Sequence, residues 1–265
     1  MLTSIPYRLP KPGSEHGFTL METLVAMVTG VIVTGALLAI LEVSLRQQTR
    51  ITERAQADQA GRTAMSNMID ELHSSCTGAT PIQAPKGSVT KPLLASGPLN
   101  LWFVSAYGVQ HGSEPLLSEA YQHDLNWEAT ETSNTGEQLG TLRDYSFKNT
   151  GSSTATDWTF PSPSPAEATH VKILAKNVIV PKSGAIFQYY KYTSSGQLTE
   201  LSSGELPLTE TTAKNISKVT ISFTQAPESQ SLKGTDTRVD RMVSFSDSVV
   251  LRIDPTNSES VSPCE

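Results

Sequence analysis

Between Pro12 and Pro81 the chain has no proline. Nothing in that stretch forbids a helix, and helix-compatible sequence runs from about Thr19 to His73. From Phe18 to Leu41 there is also no ionisable residue except Glu22. Those 24 residues are long enough to cross a bilayer core as one helix. Aromatics make up only 6% of the chain, while Ser, Thr and Gly are plentiful towards the C-terminus, which favours a β-rich domain with polar loops there. Basic residues are outnumbered, 20 Lys and Arg against 26 Asp and Glu, for a formal net charge of −6. That balance argues against a nucleic-acid binder, which needs a basic face for phosphates. There are two cysteines, Cys76 and Cys264, an even number compatible with one disulfide outside the cytosol.

Familiar catalytic signatures are missing as well. There is no G-x-S-x-G, no H-E-x-x-H, no P-loop and no C-x-x-C. His123-Asp124 reads as solvated residues of a polar loop, the alternative being part of a site. "DPTNSE" (254–259) offers oxygen ligands without the spacing of a defined calcium loop. The expectation is a protein with no catalytic residues, no metal and no cofactor.

What is present begins with "KPGSEHGFTLMETLVAM", residues 11–27. A carboxylate near the end of an apolar span is costly, about 2.5–3.5 kcal/mol at a helix centre on insertion scales and less nearer the interface. A cleaved secretory signal would have a shorter apolar core followed by a small-residue cleavage site. A plain signal anchor fits the length but gives Glu22 no role. Cleavage between Gly17 and Phe18 supplies one: the freed amine of Phe18 on a neighbouring chain, in a staggered bundle of helices, can pair with Glu22 in low dielectric.

The run Gly17-Phe18-Thr19-Leu20-Met21-Glu22, continued by Thr23-Leu24-Val25-Ala26-Met27, resembles the cleavage motif of type IV prepilins. The resemblance implies that prepilin peptidase cuts after Gly17 and methylates the amine of Phe18, and that Glu22 serves filament assembly. It implies partners too: other pilin or pseudopilin subunits, an inner-membrane assembly platform and the lipid bilayer. "QADQAGRTAMSNMIDELHSS", "IFQYYKYTSSGQL" and "ISKVTISFT" resemble the larger minor subunits, the W-type minor pilins and the J-type minor pseudopilins of type II secretion.

The expected organisation is a leader at 1–17, a membrane and filament-core helix at 18–41, an amphipathic helical half at 42–76 and a β-rich head at 77–265. The fold class is α+β, a long N-terminal helix on an antiparallel sheet as in pilins. Localisation would be single-pass in the inner membrane, head outside the cytosol, and in a surface or periplasmic filament after assembly.

Within the helix, Met65, Met68, Ile69, Leu72 and Cys76 recur at spacings of three and four and form a stripe that should dock on the sheet. Arg46, Arg50 and Arg54 form a row read as a solvated face, the alternative being a row that pairs with an acidic neighbour in a fibre. Gly30, Gly35 and Gly61 are weak points, each costing ~1 kcal/mol relative to alanine. Strands are expected at 99–107, 185–193, 219–224 and 247–253, where apolar and polar residues alternate. Residues 110–165 are expected to be loops with one strand near "LRDYSFK". With the head outside the cytosol, Cys76 and Cys264 are expected to bond; the alternative is two thiols, Cys76 filling the stripe. The rival readings are a membrane-anchored binding protein or enzyme working through 110–165, and a pilus-tip adhesin or DNA-uptake subunit.

Overall fold

The computed structural model describes residues 18–75, 96–106, 110–111, 114–115, 120–132, 137–150, 160–161, 164–213, 215–228 and 241–251. The leader, Gly17, both cysteines, Arg252, Ile253 and "DPTNSE" lie outside the described residues. The chain divides into two compact units, Met1–Thr49 and Arg50–Glu265.

Helix α1 (Leu20–His73) has 54 residues and begins in the first unit. There, from Phe18 to Thr49, every residue is exposed, including Leu20 at 82%, Val31 at 73% and Ile40 at 66%. The helix is long and apolar enough to cross a membrane. The threonines of its apolar span are satisfied internally. Thr23, Thr29 and Thr34 donate to the carbonyls of Leu20, Val25 and Gly30 at 2.9, 2.8 and 2.8 Å. An unsatisfied hydroxyl would be expensive in hydrocarbon, and these hydroxyls are not unsatisfied.

The second unit contains the rest of α1 and the strands. Ala64, Met65, Met68 and Leu72 of α1 are buried in one cluster with strand residues, and Ile69 packs against it. The stripe expected from the spacing is therefore the docking face; Cys76 lies outside the described residues. Burying a side chain of this size contributes about 1.5–3 kcal/mol. Gly61 and Ala57, one and two turns earlier, are buried too. The Asp58–Arg62 pair, 2.9 Å apart at i, i+4, adds a few tenths of a kcal/mol at roughly the surface value.

The main sheet is antiparallel throughout. Its strands are β1 (Asn100–Ala106), β4 (Ala120–Thr132), β5 (Gln138–Lys148), β6 (His170–Ile179), β7 (Phe187–Tyr192), β8 (Leu198–Glu200), β9 (Ile216–Gln225) and β10 (Val243–Val250). The order is β1-β4-β5-β6-β9-β7-β8, with β10 on β9. β6 and β7 meet the same edge of β9 one after the other, because residues 218–221 and 224–225 of β9 also pair with β10 on the opposite side. β2 (Gln110–His111) and β3 (Glu114–Pro115) form a separate two-stranded ladder. A short helix, α2 (Glu210–Ala213), precedes β9.

Strands stand at the first three stretches read from alternation, and the fourth is shifted: β10 runs Val243–Val250 where 247–253 was expected, with Leu251 just past its end. In β9, Val219, Ile221 and Phe223 are buried and Thr220, Ser222 and Thr224 only partly so. In β10, Val249 is buried while Val250 is 68% exposed. After β7, Gly196 turns the chain at φ 77°, and Thr193 N–H bonds to Gln197 O. β1 departs from expectation: Trp102 and Val104 are as buried as Leu101 and Phe103, so both faces are covered at this end of the sheet.

The largest correction concerns 110–165. This segment contains the two most extensively paired strands, the 13-residue β4 and the 11-residue β5. "YQHDLNWEATET" looks like loop because its inward positions carry polar side chains. Leu125 and Trp127 face the helix side, but so does His123, and Gln122 and Asp124 are buried on the other face.

Candidate functional site

Two places concentrate polar chemistry. The first is the start of α1. Thr19 stands at the N-cap and Glu22 three residues on. The Thr19 N–H and hydroxyl donate to Glu22 Oε2 at 3.3 and 3.2 Å, and Glu22 N–H donates to Thr19 Oγ1 at 3.3 Å. This is a reciprocal capping box, which satisfies N–H groups that a helix start leaves open. Glu22 thus has an intrachain role beside the interchain one expected for it. The signal was legible as T-x-x-E, and reading Glu22 only against a neighbour's amine passed over it. Phe18, at 82%, is exposed.

The second place lies in the sheet, where the helix-facing positions turn polar. Rows across β1, β4 and β5 run Leu101–Leu125–Asp144 and Phe103–His123–Ser146. The His123 ring stacks on Phe103, centroids 5.0 Å apart. Its Nδ1 lies 3.0 and 3.1 Å from the two carboxylate oxygens of Asp144, and its Nε2 lies 2.9 Å from Ser105 Oγ. A nitrogen facing a carboxylate must carry hydrogen, so Nδ1–H donates to Asp144; Nε2 accepts from the Ser105 hydroxyl when the ring is neutral. From α1, Glu71 Oε2 comes to 3.9 Å of the same Nε2. Ser105, His123 and Asp144 are all buried. The expectation of a solvated His123-Asp124 loop is therefore overturned: both residues sit inside β4.

Hydroxyl, imidazole and carboxylate stand in the order of an activated serine. Ser105, however, has no exposed surface. Its backbone is engaged with Tyr121 on one side and with Ser75, just past α1, on the other. A nucleophile needs an approach to its Oγ, and the described residues provide none. What the arrangement does offer is a polar tie between the C-terminal end of α1 and three strands.

On the opposite face Trp102, Asp124 and Tyr145 form one row, and all three are buried. Burial pushes the Asp124 carboxyl up to about 7, and the negative charges of Asp144 and Glu128 add to the effect. Among the described residues Asp124 Oδ1, Trp102 Nε1 and Gln122 Nε2 have no hydrogen-bond partner. Tyr145 donates to Glu128.

Arg46, Arg50 and Arg54 are all exposed, as expected of a solvated face, and Arg46 pairs with Glu42 at the surface. Among the described residues no group of His, Cys, Asp and Glu is arranged to hold a metal. Comparison of the chain with family models, with curated proteins and with solved structures gives no match.

Proposed function

We propose that the chain is a minor subunit of a type IV pilus or type II secretion pseudopilus, trimmed after Gly17, methylated on Phe18 and incorporated near the filament tip. The observation that carries this reading is the division of labour within α1. Its first half is apolar, exposed and internally satisfied, with Glu22 as its sole ionisable residue up to Leu41. Its second half buries a narrow stripe against an antiparallel sheet. A helix exposed on all sides and apolar all round needs another solvent, lipid or other copies of itself. On this reading its partners are prepilin peptidase, fellow subunits and the assembly platform.

The capping box bears on how Glu22 works. In the single chain Thr19 holds the carboxylate, which lowers the cost of keeping it near the membrane. In a filament the amine of a neighbour's Phe18 then competes for an anion already positioned. Glu22→Ala is expected to leave membrane insertion intact and to lower recovery in sheared fibres. Equal recovery of mutant and wild type would sink the pairing.

A second reading, a membrane-anchored enzyme, is favoured by one observation, the Ser105–His123–Asp144 order. The burial of Ser105 weighs against it. A fluorophosphonate probe, which forms a bond from Oγ to phosphorus as fluoride leaves, is expected to leave Ser105 unlabelled in the folded protein. Labelling that disappears in His123→Ala would revive the enzyme reading.

A further inference from the structure

Glu71, Ser105, His123 and Asp144 bring two carboxylates and a hydroxyl to one buried imidazole, and they come from three elements besides β4 itself. The two ring nitrogens are used unequally. Nδ1 is committed to Asp144 at 3.0 Å, a contact within the sheet. Nε2 stands between Ser105 at 2.9 Å, also in the sheet, and Glu71 at 3.9 Å, on the helix. The protonation state of Nε2 decides which of these it can engage. As an acceptor it takes the Ser105 hydroxyl hydrogen and offers nothing to Glu71. As a donor it no longer accepts from Ser105, whose hydroxyl must turn away, and the N–H meets the carboxylate of Glu71.

We propose that His123 is a proton-operated latch: proton uptake at Nε2 exchanges a bond within the sheet for an ion pair to Glu71 and so fastens the last turn of α1 to β4. Among the described residues the groups facing the ring are Glu71 from α1, Phe103 and Ser105 from β1, Tyr121 from its own strand, and Asp144 and Ser146 from β5. Two of these described groups are carboxylates. The side chains of His123 and Asp144 are each 6% exposed and that of Glu71 is 15% exposed, so the pair is little screened by solvent. The latch does not depend on the filament reading: it is a property of the second unit.

Asp124, on the other face of β4, also takes up a proton in the near-neutral range and would mask the effect. The experiment therefore uses the full-length chain with Asp124→Asn, in detergent. Hydrogen exchange of the peptide spanning Asp70–Ser75 is followed by mass spectrometry at about pH 5.5 and about pH 8, corrected for intrinsic rates. The expected result is protection about three- to tenfold greater at the lower pH. Adding Glu71→Gln should abolish the difference, while Glu71→Asp, which keeps the charge, should retain part of it. Equal protection at both pH values, or a difference that survives Glu71→Gln, would overturn the latch.

Discussion

Asp124 shows how far one buried residue can set a solution property. Its folded-state carboxyl is raised to about 7, against an ordinary value of about 3.9 in an unfolded chain. The folded protein therefore holds this proton at pH values where the unfolded chain has lost it. Stability from this group is fully present below about pH 4 and is lost as pH rises to about 7, by up to a few kcal/mol. Asp124→Asn removes the charge and keeps the shape. Its advantage over wild type in urea unfolding should be small near pH 4 and grow to roughly 1–3 kcal/mol near pH 8. A constant difference across that range would show that the carboxyl is not strained by burial. Gly61 makes a different case. The sequence presents it as a helix weak point, and in the fold Phe245 packs against its Cα. A Cβ would stand 2.1 Å from Phe245 Cε2, and two further ring atoms lie within 2.7 Å. Alanine's helix preference, ~1 kcal/mol, competes with overpacking of about 1–3 kcal/mol. Gly61→Ala should therefore lower the unfolding midpoint. Gly30→Ala and Gly35→Ala, with nothing within 4 Å of the added methyl, should not.

At the scale of elements, α1 and the strands near the C-terminus were legible because they obey one period each. The stripe Met65-Met68-Ile69-Leu72 repeats at 3.6, and "VTISFT" alternates at 2. β4 obeys the period of 2 as well, but His123 occupies an inward position and Gln122 and Asp124 lie on a face that is also covered. A pattern of hydrophobicity cannot register a strand whose buried positions are polar, since polar burial depends on partners from β1, β5 and α1 that are distant in sequence. The turn after β7 was legible from Gly196; the β-bulges where β5 pairs with β6 were not. Gly140 marks one of them, and a methyl there would stand 2.5 Å from the carbonyl oxygen of Glu128. Because that obstacle is backbone, Gly140→Ala should cost more than Gly61→Ala, about 2 kcal/mol or above. Paired thermal unfolding curves of the two variants check the order. Arg241 makes a second long-range tie, pairing with Glu53 on α1 largely out of solvent. Removing one member of such a pair typically costs about 3–5 kcal/mol, so Arg241→Ala should be among the more damaging changes in this unit; a loss below 1 kcal/mol would place the pair with ordinary surface bridges.

For the molecule as a whole, the α+β class and the antiparallel pairing follow from the sequence, while the polar seam beneath the end of α1 emerges only when three strands and the helix are brought together. The expected sites at Gly17, Cys76 and Cys264 are matters of processing and oxidation that the described fold leaves to chemistry. The central claim is that α1 is made by cleavage between Gly17 and Phe18. It is tested most directly by the intact mass and N-terminal peptide of the protein taken from membranes of cells that carry a prepilin peptidase. The account predicts a chain beginning at Phe18 with one methyl group on its amine, and retention of residues 1–17 in Gly17→Leu. A mature protein that begins at any other residue, or that keeps its leader while the peptidase is active on other substrates, would contradict it.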